Sequence, residues 1–305
     1  MKIAVIGAGA MGSIYGCHLS LNHEVYMVDT STSVVEHINQ EGIRLSENGE
    51  ENVYCPKAVL SPAQLGTVDL ILLFVKSLYS KSALASNQAL IGPETYVMTL
   101  QNGSGHEDIL EGFVSRDHII IGTTEDNGAV ISTGCIRRGG AGNTNIGMLE
   151  TDKEGFLPKL KEAFESCGFP VRIHENIQQL IWDKLFTNVS LSAVTAILQV
   201  DMGYIASNDH AWKMTTMLIE EAVSVAKGLG LLVEEAEIME KVRKTSLMSP
   251  NGCTSIRSDL QNGRKTEVDH ISGSVVIAAG KLGVPVPTHQ FVVEMIHAME
   301  ERSRA

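Results

Sequence analysis

Lys184, Asn188 and Ser192 follow one another at steps of four in IWDKLFTNVSLS, residues 181–192. Read as a helix, the segment carries an apolar stripe through Ile177, Ile181 and Leu191. Lys184 and Asn188 then stand where packing would ask for leucines. Such groups are costly to bury unless they are paired or face a ligand. Each step of four rises about 6 Å, so three polar tips would line one slowly drifting stripe. A lysine in that row can donate a proton to a carbonyl oxygen. The bland account is a lysine snorkelling to the surface above a satisfied asparagine. A second cluster lies in TSIRSDLQNGRKTEVDHISG, residues 254–273, where Ser255 opens a turn or helix and Glu267 and Asp269 sit in a helical stretch. A carboxylate such as Glu267 could hold Lys184 charged and oriented, where burial alone would depress the lysine pKa. By itself, Glu267 is an ordinary solvated helix carboxylate.

At the other end of the chain, KIAVIGAGAMGS runs from an apolar strand through Gly7, Gly9, Ala10, Met11 and Gly12 into a helix. The three glycines would serve a tight turn, close approach of the backbone to a pyrophosphate, and close helix–strand packing, with the helix N-terminus facing the negative charge. Asp29 follows Gly9 by twenty residues at the end of the second strand, the place of a ribose-binding carboxylate. It would accept hydrogen bonds from the ribose hydroxyls of NAD and repel a 2′-phosphate. No arginine follows nearby to receive one, so NAD is favoured over NADP. The competing role for Asp29 is to cap a helix beginning near Ser31.

These groups need elements to place them. The first half alternates strands (2–6, 24–28, 69–75, 95–100, 118–122) with helical stretches (10–21, 31–40, 78–90, 105–113), the pattern of an α/β doubly wound, largely parallel Rossmann-type sheet. Residues 128–149 break the rhythm and suggest antiparallel strands closing one edge. After the short strand 171–173 the second half reads as all-helical, over 176–199, 208–228, 234–246, 253–262, 266–281 and 288–302. The expected organisation is a dinucleotide-binding domain over 1–173 and a helical substrate and catalytic domain over 174–305.

Taken together, the motifs resemble the ketopantoate reductases: GAGAMGS, FVKS with Lys76, LQNG with Asn102, IGTT, WDKLFTN, GRKTEVD and GVPVPT occur in order along nearly the whole chain. The resemblance implies hydride transfer from NAD(P)H to a 2-oxo acid, giving a D-2-hydroxy acid. Lys184 would be the general acid, and Glu267 would hold the lysine or a hydroxyl of substrate or cofactor ribose. Asn188, Ser192 and Ser255 would bind the substrate, while Asn102 and Lys76 would lie on the nicotinamide side. It also implies a homodimer. Three departures bear on the substrate: Ser192 stands where the family typically carries a second asparagine, Met202 where a polar contact is expected further along the helix, and Gly252 where some members carry a substrate-binding asparagine. Family members that use NAD on branched or aromatic 2-oxo acids are known. 2-Dehydropantoate and such acids therefore both stay open as substrates.

The rival readings are a histidine-based dehydrogenase using His106 or His270, and a non-enzymatic NAD(H)-responsive binding protein. Pure sensing would need only the nucleotide half. A metal site from His106, Glu107 and Asp108 is disfavoured because adjacent helical side chains diverge, and no metal is expected. The net charge of -12, from 24 Lys+Arg against 36 Asp+Glu, argues against nucleic acid. No apolar run reaches the roughly 20 residues of a membrane span. Five widely spaced cysteines read as free thiols in a cytoplasmic protein.

Overall fold

The computed structural model describes residues 1–302; residues 303–305, at the end of the expected second domain, lie outside the described residues. The chain divides into two compact units. The first comprises Met1–Gln101 and His106–Ile177; the second comprises Asn102–Gly105 and the chain from Gln178 onward. The sequence boundary at 173/174 thus falls a few residues early. The helix that carries Lys184 begins at Ile177, and the four residues Asn102–Gly105, which start within the LQNG motif, belong with the helical unit.

Twelve strands are described in the first unit: β1 Lys2–Ile6, β2 Glu24–Val28, β3 Ile43–Glu47, β4 Glu50–Tyr54, β5 Lys57–Val59, β6 Leu70–Leu73, β7 Tyr96–Thr99, β8 Ile119–Thr124, β9 Asn127–Ser132, β10 Cys135–Gly140, β11 Thr144–Met148 and β12 Val171–Ile173. Eight form one sheet in the order β12-β11-β8-β7-β6-β1-β2-β5, parallel throughout except where β11 meets β8. β6 and β7 are buried along their whole length, as strands covered on both faces must be, which is why LILL and YVMT read as unbroken apolar runs. The chain order reverses at β1, with β2 on one side and β6 on the other. In open α/β sheets the ligand crevice lies outside the carboxyl ends of the strands at such a reversal.

The remaining strands make a second sheet in the order β4-β3-β10-β9. This corrects the reading of 128–149 as an edge of the main sheet: of that segment only β11 joins the main sheet, antiparallel to β8, and β12 pairs parallel with β11 to form the edge itself. β9 and β10 pair instead with β3 and β4, strands absent from the sequence-based assignment. The second sheet explains why helix α1, Ala10–Leu19, is buried on nearly all sides rather than amphipathic. A Cβ on Gly128 of β9 would sit 2.5 Å from Ile14 Cδ1 of α1.

The first unit also holds α2 Thr32–Glu41, α3 Ser80–Ser86, α4 His106–Leu110 and α5 Phe156–Glu165. The second unit is helical: α6 Ile177–Thr187, a wider π turn over Asn188–Ser192, α7 Ala193–Leu198, α8 Met202–Ser207, α9 Asp209–Gly228, α10 Glu235–Met248, α11 Ser255–Gln261, α12 Ser272–Leu282 and α13 Pro287–Arg302. Two expected helices are interrupted. The stretch 176–199 changes winding at Asn188. The stretch 266–281 is a 3-10 turn over Val268–His270 before α12 starts. The core of this unit gathers Trp182, Phe186, Ile219, Val242, Ile271 and Ile296.

Candidate active site

At the crevice end of the first unit, Gly7 follows β1 with φ +102°, a left-handed conformation that a side chain resists. A Cβ there would also meet the Val75 backbone nitrogen at 2.9 Å. A Cβ on Gly12 would fall 1.9 Å from the Gly7 carbonyl oxygen, so α1 and the turn can approach this closely only with glycine. Gly9 is exposed and has open space around its Cβ position, followed by Ala10 and Met11 at the start of α1. The turn therefore offers bare backbone and a helix N-terminus, the arrangement that receives a pyrophosphate. Asp29 Oδ2 accepts the Ala8 amide at 2.9 Å and Oδ1 accepts the Ser31 amide at 2.9 Å. The cap of α2 is Ser31, whose hydroxyl accepts from the Val34 amide. Asp29 thus braces the glycine turn rather than capping a helix directly. Beside it a cavity of about 310 Å³ is lined by Gly7, Asp29, Thr30, Pro62, Val75 and Tyr79. Together these features fit a dinucleotide.

Lys76 follows β6 at the same end of the sheet and is half-buried. Sequence reasoning passed over its neighbour Gln101. The Gln101 Nε2 group donates to the Val75 carbonyl at 2.5 Å and to Ser80 Oγ at 3.0 Å, and its Oε1 accepts from Thr99 Oγ1 at 2.8 Å. It ties the carboxyl ends of β6 and β7 together. The signal was present in LQNG, whose glutamine precedes the residue that drew attention.

In the second unit, α6 and the π turn that continues it direct Trp182, Leu185, Phe186 and Val189 into the core, an i, i+3, i+4, i+7 stripe. The reading that Lys184 and Asn188 take core positions is therefore corrected: with Asp183 and Thr187 they form a half-buried strip beside the core stripe. Ser192, at the end of the π turn, is buried, and Ser255 is exposed at the first position of α11. Glu267 is half-buried and its carbonyl accepts the His270 and Ile271 amides, opening the 3-10 turn. That turn meets the LQNG segment directly. The Ser104 amide donates to the His270 carbonyl at 3.1 Å, and a Cβ on Gly103, whose φ is +102°, would strike the same carbonyl. Asn102 and Glu267, far apart in sequence, are brought into one unit by this junction.

The helical half has its own departures. Met202 lies past the end of α7, at the start of α8, because Gln199 turns the chain with φ +55°. It does not continue the lysine helix, as the spacing had suggested. Its thioether fills the space a Cβ on Gly252 would need, 2.7 Å from Sδ, so the two unusual residues are one packing arrangement. His106 is buried, and burial holds the His270 imidazole below its ordinary pKa, leaving it neutral near pH 7.

The family model for ketopantoate reductase PanE/ApbA matches residues 3–151, and that for its C-terminal part matches residues 176–300. The chain belongs to the ketopantoate reductase family. Among its relatives, the 2-dehydropantoate 2-reductase of Lactococcus lactis is 31% identical over the full length of both chains. That of Streptococcus pyogenes serotype M6 is 28% identical over 98% of each. Among solved structures, a ternary D-mandelate dehydrogenase with NADH and anilino(oxo)acetate is 30% identical over all of both chains with a TM-score of 0.91. A PanE/ApbA family ketopantoate reductase from Ralstonia eutropha is 26% identical over all of both, with a TM-score of 0.90. This ketopantoate reductase-family oxidoreductase therefore has its Rossmann-like nucleotide half and its helical half in the order the motifs predicted.

Proposed function

We propose that this protein reduces a 2-oxo acid to the D-2-hydroxy acid with NADH, through Lys184. The observation that carries the reading is a lysine in a half-buried polar strip with Asn188, in a chain matched from end to end by family members that include an NADH-bound 2-oxo acid reductase. The bound nicotinamide supplies the hydride that reduces the substrate ketone. Lys184 Nζ donates a proton to the ketone oxygen, which becomes the hydroxyl, and solvent returns the proton to the lysine. Glu267 keeps Lys184 charged and oriented. Asn188, Ser192, Asn102 and Ser255 bind the acid, and Lys76 works with Asn102 on the nicotinamide side. The glycine turn, with Ala10 and Met11, holds the pyrophosphate. Asp29 favours NAD over NADP, since its carboxylate repels a 2′-phosphate.

Met202 packed on Gly252 supports an apolar 2-oxo acid, branched or aromatic, over 2-dehydropantoate, because neither residue offers a hydrogen bond to a second hydroxyl. A homodimer completes the reading, supported by Ile277 of α12 and Phe291 of α13, both exposed on packed neighbouring helices.

The test follows absorbance at 340 nm with NADH and NADPH against 2-dehydropantoate and a panel of branched and aromatic 2-oxo acids. The expected result is NADH-preferring turnover of an apolar member. Lys184→Ala should lower kcat by about 10²- to 10⁴-fold, the usual contribution of general acid catalysis, while NADH still binds by fluorescence. Retention of most activity in Lys184→Ala, or no turnover by the wild type, overturns the proposal.

A further inference from the structure

The three polar positions of the lysine helix do not lie on a uniform α-helix. In α winding a step of four overshoots one turn by about 40°. The segment Asn188–Ser192 is a π turn, whose i→i+5 bonding places more residues in each turn. A step of four there falls short of a full turn. The drift from Lys184 to Asn188 is thus reversed from Asn188 to Ser192, and Ser192 swings back toward the Lys184 face.

Such a turn leaves backbone carbonyls poorly served by amides, and hydroxyls serve them here. Ser190 Oγ donates to the Phe186 carbonyl at 2.6 Å. Thr195 Oγ1 donates to the Leu191 carbonyl, inside the π turn, at 2.7 Å. Both side chains are fully buried. With its proton committed to Leu191, Thr195 Oγ1 accepts from Thr254 Oγ1 at 2.8 Å. Thr254 is the N-cap residue of α11, immediately before Ser255. A buried relay therefore runs from Thr254 through Thr195 to Leu191. It joins the winding of the lysine helix to the helix end that presents Ser255. The Met202 and Gly203 amides, donating to the Gly252 and Pro250 carbonyls at 3.0 Å each, fasten the same loop through backbone alone.

We infer that Thr195 and Thr254 are a positioning pair for substrate binding, setting Asn188 and Ser192 in register with Ser255. The inference rests on the reduction of a 2-oxo acid proposed above. Neither threonine touches substrate or cofactor in this account. Loss of the relay should therefore weaken grip on the acid and spare the proton transfer from Lys184.

The experiment compares Thr195→Val, Thr195→Ser, Thr254→Val and the double valine variant with the best 2-oxo acid at saturating NADH. Cofactor Kd is measured alongside. Thr195→Val, nearly isosteric but without the hydroxyl, should raise KM for the acid about tenfold, with kcat and cofactor Kd little changed. Thr195→Ser should restore the wild-type KM. Thr254→Val should reproduce the KM effect, and the double variant should be no worse than either single one, because both break the same relay. Should Thr195→Val fail to fold, Thr254→Val at the helix end carries the same test. An unchanged KM in a folded valine variant overturns the inference, as does a parallel fall of kcat and cofactor affinity, or no rescue by serine. A wild type that reduces no 2-oxo acid overturns the proposed function and this inference with it. An active wild type with unaltered valine variants overturns the inference alone.

Discussion

In the proposed reading, Asp29 serves structure and cofactor selectivity together. Its two oxygens already accept the Ala8 and Ser31 amides, one from the glycine turn and one from the start of α2. Each carboxylate oxygen keeps a second lone pair for a ribose hydroxyl. Replacing it removes charge-assisted bonds worth about 1.5–3 kcal/mol each, or roughly ten- to a hundredfold in affinity. Asp29→Ser should raise the KM for NADH by about that factor and narrow the gap to NADPH, read from steady-state kinetics with both cofactors. An unaltered NADH KM would confine Asp29 to bracing the turn. The place of Asp29 just after β2, beside the glycine turn, was legible from its spacing because the βαβ unit fixes the distance from turn to second strand. The braces of Gln101, Thr195 and Thr254 were not, since a polar residue in a string gives no hint of its partner across the fold.

At the scale of elements, the second sheet is held to α1 by a charged network inside the first unit. Arg138 of β10 has a side chain only 6% exposed and donates through Nε to Asp126 Oδ1 at 2.7 Å and through Nη1 to Glu47 Oε2 at 3.0 Å. Glu47 in turn meets His18 Nε2 of α1 at 2.9 Å. The guanidinium lies 5.2 Å from the centre of the Phe169 ring, which stacks on Tyr15 of α1. Arg138→Met would leave the Asp126 carboxylate, with a fully buried side chain, without its counter-charge. The expected cost is about 3–5 kcal/mol, measured by urea unfolding. A loss under about 1 kcal/mol would mean that the buried pair contributes little beyond its desolvation cost. This sheet was hidden in the sequence because β3 and β10 pair in parallel across nearly a hundred residues, and each strand is too short to identify its neighbour.

For the whole molecule, the described residues contain no helix long and apolar enough to cross a membrane. The proposed homodimer predicts a light-scattering mass twice that of the chain, and Ile277→Asp with Phe291→Asp should shift it toward the monomer. A monomeric wild type at micromolar concentration would remove the dimer from the proposal. Both positions are exposed within one chain, and exposed apolar side chains on neighbouring helices are the kind of surface that another copy covers.

The sequence by itself determined the alternation of strand and helix, the glycine turn and its acidic partner, the all-helical second half and the family. Each of these is written in local spacing, which backbone geometry converts directly into period, turn or cap. Only the tertiary structure decided that α1 is enclosed by a second sheet, that Asn102 travels with the turn after Glu267, and that Lys184 lies beside the core stripe rather than in it. It also decided that the lysine helix rewinds at Asn188. Those outcomes depend on which distant groups meet: the Thr254 hydroxyl that pairs with Thr195 beside the π turn, and the His270 carbonyl that permits only glycine at 103. Contacts of that kind are set by packing between segments far apart in the chain, and no window along the sequence contains both partners.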